Sequence, residues 1–411
     1  MQQGLVFLIT ACILAFIIIA QQKPPQDGWL RARDGVSYIV NGEPVTGWQT
    51  IGDGRFYFGA DGILRTGWQT IAEHTYYFLP DGNLVTGWLE LGGNRYYLDE
   101  EGARVTGWRA IDGLMRYFGA DGALQTGIVE ENGASYLLGE EGLVCSDWIQ
   151  IDGALYYGDA QGHPVSGWTQ IGGRTHYFLE TGAAASGWLE LDGFLHYFYT
   201  DGAPAQGKLT IDGQVRHFAS NGQLLVLVNP WNQIPGDYTV ELVAISDAHQ
   251  IAQIAYEDYL DMMADCAAAG FRPVVCSAYR TQEYQENLYQ NRINRYVWAG
   301  YGVEEATTLA GRSVAVPGTS EHQLGLALDI VDARNGRLDE SQADMPTQQW
   351  LMENSWRYGW ILRYPSEKSE ITGIIYEPWH YRYVGRTVAK EIYELGICLE
   401  EYLELLTNAV G

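Results

Sequence analysis

Residues 66–88 read TGWQTIAEHTYYFLPDGNLVTGW, and the stretch opens and closes on the same tripeptide, twenty residues apart. Thr46-Gly47-Trp48 precedes it in phase and Thr106-Gly107-Trp108 follows. The triplet degrades at Thr126-Gly127-Ile128 and Ser146-Asp147-Trp148, recovers at Ser166-Gly167-Trp168 and Ser186-Gly187-Trp188, and fades at Gln206-Gly207-Lys208. A second glycine keeps the period from Gly42 to Gly222, and aromatic pairs such as Tyr76-Tyr77 and Tyr156-Tyr157 fall between. Gly28-Trp29 starts the array one residue out of phase. A fixed period of this length is the signature of a repeat architecture. Each unit holds two short aromatic strands punctuated by Asp-Gly, Asn-Gly or Gly-Gly, which are hairpin-turn pairs. One hairpin cannot bury its own apolar face. Stacked neighbours bury a shared seam, which predicts a β-solenoid of ~20-residue aromatic hairpins over 27–223.

The repeats account for the unusual composition. Of 49 glycines and 14 tryptophans in the 411-residue chain, 35 and 8 lie in 27–223. The net charge of −26 divides into −14 over 27–223 and −13 over 224–411, with Lys23 adding one positive charge. Nucleic-acid binding needs a basic footprint, and neither half has one. Leu5 to Ala20 is an apolar run of 16 residues. That suits a signal-peptide core and is short for a spanning helix, so residues 1–22 read as a signal peptide or a retained membrane anchor. Five cysteines and no Cys-x-x-Cys make neither a disulfide scaffold nor a cysteine zinc site. Cys266 and Cys276 are ten apart and either pair or stay as buried thiols.

The repeats resemble the cell-wall-binding repeats of exported Gram-positive proteins, a group that includes choline-binding modules, glucan-binding repeats and clostridial toxin repeats. In choline-binding modules the resemblance implies an aromatic cage, with the Gly-Trp tryptophan as one wall. Trp48, Trp68, Trp88, Trp108, Trp148, Trp168 and Trp188 supply that wall here. The second wall, a tryptophan before the paired tyrosines, is replaced by Arg55, Thr75, Arg95, Met115, Ser135, Leu155, Thr175 and Leu195. The units therefore look more like the glucan-binding and toxin type, whose implied ligand is a cell-wall glycan, with a choline-bearing polymer as the alternative. A tryptophan at every twentieth position also serves equally well as core.

The period stops after Gly222, and an α/β pattern follows over 224–411. Helical spacing of Ile251, Ala255, Tyr259, Met262 and Cys266 predicts a helix ended at Gly270. Pro273–Tyr279 reads as a strand, Thr281–Trp298 as a helix capped by Thr281, and Leu326–Val331 as a strand. Gln348–Tyr358 reads as a helix stopped by Gly359, and Arg386–Leu406 as a closing helix. Three segments carry chemistry: Ser277-Ala278-Tyr279-Arg280-Thr281, Ser320-Glu321-His322-Gln323-Leu324-Gly325-Leu326-Ala327-Leu328-Asp329, and Glu377-Pro378-Trp379-His380. Asp332, three residues after Asp329, reads as solvated.

This trio, with the stretch Trp356–Pro365, resembles the VanY-type D-alanyl-D-alanine carboxypeptidases, zinc peptidases that trim peptidoglycan stem peptides. The resemblance runs from about Leu227 to Gly396 and implies an α+β zinc peptidase domain holding one Zn2+. It makes His322, Asp329 and His380 the metal ligands, Glu377 the general base, and Arg280 the cation facing the scissile carbonyl. Ser320 and Gln285 fall in the family's motifs as substrate contacts. The chemistry needs these residue types in its own right. Two imidazoles and a carboxylate leave the fourth zinc position open, a nearby carboxylate moves the proton, and a permanent cation stabilises the oxyanion. The expectation is an extracellular, wall-associated D,D-carboxypeptidase acting on stem peptides. The alternatives are an L,D-carboxypeptidase or peptidoglycan endopeptidase on the same scaffold, and a non-catalytic wall-binding adhesin. No paired-carboxylate glycosidase arrangement is recognisable in 224–411.

Overall fold

The computed structural model describes residues 26–409. The apolar run at 5–20, and with it the signal-or-anchor expectation for 1–22, lies outside the described residues. Among those, no helix is long and apolar enough to cross a membrane.

The periodic half forms a succession of two-stranded antiparallel hairpins. In the hairpin Gly67–Ile71 with His74–Phe78, Gly67 faces Phe78 and Trp68 faces Tyr77. The connecting pair, Ala72-Glu73, adopts φ of 45° and 68°, the left-handed geometry that matches the strand twist. Other hairpins place Asp112-Gly113, Asn132-Gly133 or Gly92-Gly93 there. Consecutive units are stitched by backbone bonds: Leu84 N–H donates to the Arg55 carbonyl at 2.9 Å, and Arg104 N–H to the Thr75 carbonyl at 2.7 Å. Gly82 makes that approach possible, since a Cβ there would lie 2.6 Å from a Leu64 methyl and φ is +87°. The core seam is not built from the tryptophans. It is built from the last residue of eight of the second strands, Phe58, Phe78, Leu98, Phe118, Leu138, Phe178, Phe198 and Phe218, all at most 1% exposed. Alternation along the strand explains the choice, since adjacent residues face opposite sides. Trp48, Trp68, Trp88, Trp108 and Trp148 are half-buried, and Trp168 and Trp188 are exposed. His176 and His196 are buried in aromatic positions of the repeat.

Among the described residues two compact units result, one running to Gly153 and including 157–164, the other 154–156 with 165 onward. Periodicity stops at 223, but packing groups the hairpins from Val165 onward with the non-periodic half. The reason is specific contact. Phe194 stacks on Tyr383 at 6.0 Å, Ser220 Oγ donates to Glu391 at 2.7 Å, and Gln223 Nε2 donates to the Val384 carbonyl at 3.0 Å. Ala219 and Leu225 share a core with Val388, Ile392 and Leu403.

The non-periodic half centres on a four-stranded antiparallel sheet. Its order is Pro273–Ser277, Ala327–Asp332, His380–Tyr383, Trp360–Leu362. Helices Tyr256–Ala268 and Pro346–Asn354 contribute Tyr259, Met262, Cys266 and Leu351 to the core beneath it. The first helix starts later than its apolar spacing suggests, because Gln250–Ala252 pairs as a strand with Leu242–Ala244. Thr281 does cap Gln282–Trp298, its side chain accepting from the Tyr284 N–H. The closing helix is two, Arg386–Leu395 and Leu399–Ala409, broken where Gly396 turns left-handed at φ 65°. Val303–Gly311 is a helix that the apolar pattern did not announce. Cys145, Cys266, Cys276 and Cys398 are free thiols, so Cys266 and Cys276 do not pair. Asp332 is not solvated. It is fully buried, held by Arg334 through two side-chain bonds of 2.9 and 2.7 Å and by Thr347 at 2.5 Å.

Candidate metal centre

Sheet register assembles the centre. Asp329 pairs with Ser277 on one neighbouring strand and with His380 on the other. His322 arrives from the short 3-10 turn Glu321–Leu324, which Gly325 ends at φ 73°. A Cβ on Gly325 would stand 3.1 Å from the Ala252 backbone nitrogen, so glycine is required for both reasons. The ligating atoms of His322, Asp329 and His380 lie within 4.8 Å of one another, and all three residues are buried.

Each imidazole is oriented by a bond on its far side. His322 Nδ1 lies 2.7 Å from the Ala278 carbonyl. A carbonyl only accepts, so Nδ1 carries the proton and Nε2 offers its lone pair toward Asp329 Oδ2, 3.2 Å away. His380 is turned the other way. Its Nε2 faces Glu321 Oε2 at 3.3 Å, which leaves Nδ1 toward Asp329 Oδ1 at 3.0 Å. Carboxylate or carbonyl support behind a ligating histidine is the usual arrangement at metal sites. Burial, with Arg280 next, pushes His322 down to about 4, so it stays neutral at physiological pH. Burial also opposes charge on His380, but Asp329 and Glu321 outweigh it and hold the ring up at about 9. The pocket thus draws positive charge to the point where Nδ1 meets Asp329. Two imidazoles and one carboxylate, each imidazole backed by an acceptor on its far side, fit a zinc ion with an open position.

Glu377 and His380 converge because the strand begins only at His380. The His380 N–H closes a turn onto the Glu377 carbonyl at 3.1 Å, and Glu377 Oε2 comes within 3.9 Å of His380 Nδ1. Burial pushes the Glu377 carboxyl up to about 8, against the pull of His380. Arg280 is tied to Asp329 Oδ2 at 2.8 Å and to Ser277 Oγ at 3.0 Å. A cavity of about 190 Å³ opens on these groups, lined also by Ser320, Arg292, Tyr364 and Trp379. Gln285 is placed differently from its expected role. It is fully buried outside that lining, its amide bonded to the Ala315 carbonyl at 2.7 Å and to Arg280 at 3.4 Å. It positions Arg280 and has no free surface for substrate.

Sequence reasoning gave no role to the support beneath the centre. Glu321 is 1% exposed and accepts from Arg363 Nε at 2.7 Å and Arg382 Nη1 at 2.8 Å. Burial would raise its pKa, but the two guanidinium groups hold it well below the carboxylate range. Arg363 in turn makes two bonds to Glu400 at 2.8 and 2.6 Å. The signals were present. Glu321 adjoins a ligand, and Arg382 is two residues beyond His380, hence on the same face of its strand. The pairing with Glu400, 37 residues from Arg363, had no local signal.

Comparison with known proteins follows the same division. Residues 46–64 match a cell wall binding repeat profile and residues 65–104 a choline-binding repeat profile. A D-alanyl-D-alanine carboxypeptidase of Enterococcus faecalis is 48% identical over 181 residues, covering 44% of this chain and 65% of that protein. The Bacillus subtilis protein YodJ is 36% identical over 192 residues, covering 44% of this chain and 67% of its own. The solved structure of VanYB in complex with D-alanine-D-alanine is 44% identical, covers 44% of this chain and 96% of that one, and superposes with a TM-score of 0.41. This chain thus spans about two thirds of the length of these two curated relatives. Residues 248–386, which contain the three ligating side chains, Glu377 and Arg280, match the profile described as VanY, D-alanyl-D-alanine carboxypeptidase, and the chain belongs to that family.

Proposed function

We propose that this chain is an exported, zinc-dependent D,D-carboxypeptidase that removes the C-terminal D-alanine from peptidoglycan stem peptides while its repeats hold it at the cell wall. The observation that carries the reading is the convergence of His322, Asp329 and His380 at coordinating distance with Glu377 beside them. In this reading 1–22 directs export, 27–223 is a β-solenoid anchor, and 224–411 is the catalytic domain. Tethering raises the local concentration of a polymeric substrate without altering the chemistry.

Zinc bound here would supply Lewis acidity and bring the pKa of its water to about 7. His322, Asp329 and His380 would hold it, the histidines through the ring nitrogens that face Asp329, Nε2 and Nδ1. Glu377 accepts the proton of the attacking water and passes it to the leaving D-alanine amine. Arg280 keeps a permanent positive charge on the cavity wall for the oxyanion. Ser320, buried and lining the cavity, contributes a hydroxyl toward substrate.

Full-length protein is incubated with defined pentapeptide and tetrapeptide stems, with and without chelator, and the products are read by mass. Loss of one alanine from the pentapeptide, abolished by chelation, is expected. Cleavage of the tetrapeptide alone assigns the L,D reaction instead. Metal-independent cleavage, or none on either stem, removes the reading.

A further inference from the structure

The repeat tryptophans share one frame but not one cover. Trp48 stands edge-on to Tyr57 and Tyr76 at 5.3 and 4.9 Å. Trp168 meets Tyr177 and Phe198 at 5.0 and 5.7 Å, and Trp188 meets Tyr197 and Phe218 at 5.1 and 5.8 Å. The difference lies seven residues after the tryptophan, on the returning strand. There Arg55 sets its guanidinium 4.4 Å from the centre of the Trp48 ring, and Arg95 sets its own 4.6 Å from that of Trp88. Each is held from another unit by a carboxylate. Arg55 Nη1 reaches Glu101 at 3.4 Å and Arg95 Nη1 reaches Glu141 at 2.9 Å. A cation between an indole face and a carboxylate is the arrangement by which proteins recognise organic cations. In these two repeats the chain provides that cation itself.

Arg104 lies more loosely over Trp68, 5.6 Å from its ring centre, and Arg116 adds a second guanidinium 5.5 Å from that of Trp88. Three other tryptophans have no such cover. The equivalent residues are Thr175 for Trp168, Leu195 for Trp188 and Val36 for Trp29. Among the described residues no guanidinium lies over these three rings. Trp29, Trp168 and Trp188 are 47%, 45% and 37% exposed, whereas Trp48 and Trp88 are half-buried. Trp188 also borders a cavity of about 900 Å³ whose wall carries Glu190, Asp192, Asp212 and Glu241, its two arginines, Arg216 and Arg382, being paired with Asp237 and Glu321. Carboxylates therefore line the cavity beside an open indole, as Glu101 and Glu141 stand beside the covered ones.

We propose that Arg55 and Arg95 are internal occupants of the Trp48 and Trp88 faces. Those two repeats take no external ligand, and the array binds an organic cation, such as a quaternary ammonium group, at the open indoles of Trp29, Trp168 and Trp188. The proposal rests on the reading of the array as a wall-binding module and says which repeats do the binding. Choline is titrated calorimetrically into the full-length protein, with retention on purified cell walls as a second readout. Replacing Trp29, Trp168 and Trp188 together by Ala is expected to weaken choline binding and wall retention at least tenfold. Trp48→Ala with Trp88→Ala is expected to leave both within twofold. Arg55→Ser with Arg95→Ser removes two partly exposed side chains without disturbing the aromatic seam, and is expected to raise the number of cholines bound by two. Equal loss from the two tryptophan sets, or no added sites in the arginine variant, overturns the proposal. Wall retention without choline binding overturns the ligand class. A wild-type protein retained by neither overturns the wall-binding reading itself.

Discussion

Glu321→Gln tests the support beneath the metal centre. The native carboxylate sits with Arg363 and Arg382 at 0–2% side-chain exposure, and Glu400 pairs with Arg363. Two cations and two anions make a neutral buried set. Glutamine keeps the shape and removes one anion, leaving a net positive charge away from water. Breaking a buried pair on one side costs about 3–5 kcal/mol. Arg363 retains Glu400, so the low end applies, roughly 3 kcal/mol. At ~2–4 °C per kcal/mol for a unit of this size, the melting point falls by about 6–12 °C. His380 loses the anion behind Nε2 as well, which lowers zinc affinity by about 10–100-fold. Calorimetric melting of the full chain reads the first effect in the transition that added zinc displaces. Competition with a chromophoric chelator reads the second. Adding Arg382→Met to Glu321→Gln should recover part of the lost stability, since the orphaned charge is then gone. A shift under 2 °C with unchanged zinc affinity would refute the reasoning, because Glu321 would then not be the anion that balances these groups.

Glu377→Gln should lower kcat by about 10²–10⁴ while zinc content stays at the wild-type level. Loss of metal together with activity would assign Glu377 to coordination. In chelator-treated protein, the folded state holds protons on Glu377 up to about 8 and on His380 up to about 9, above their ordinary values. The unfolded chain releases both earlier, so stability should fall as pH rises from about 6.5 to 9, the reverse of a paired carboxylate's behaviour. Melting points that rise over that window would contradict it. Glu73 sits at φ 68° in its hairpin turn, where an L side chain is disfavoured. Glu73→Gly should therefore stabilise the array by about 1 kcal/mol, seen as a higher denaturant midpoint with unchanged slope.

The sequence settled what depends on local spacing. A twenty-residue period with turn pairs in phase can only be repeated hairpins, and hairpins are what form. His322, Asp329, Glu377, His380 and Arg280 were named from three short motifs, and register brings them together. What spacing could not reveal depends on contacts between distant residues. No pattern in the repeats shows that Phe58, Phe78 and their equivalents fill the seam while the tryptophans pack along its side, less buried. Nor does it show that Arg55 reaches across to Glu101, 46 residues on. Likewise Gln285 reads as a substrate contact until its amide is found occupied by Ala315 and Arg280. Arg363 reads as one more charge until burial joins it to Glu321 and Glu400. The period marks 223 as the end of one half, yet packing carries the last hairpins into the other unit, because Phe194 and Ser220 find partners on Tyr383 and Glu391. The sequence by itself determined the local elements and the chemical groups at the centre. The tertiary structure decided which of those groups are buried and what faces them: burial sets the charge on His322 and Glu377, since desolvation acts on a side chain only once the fold has taken it out of water, while at His380 the Asp329 and Glu321 carboxylates outweigh it.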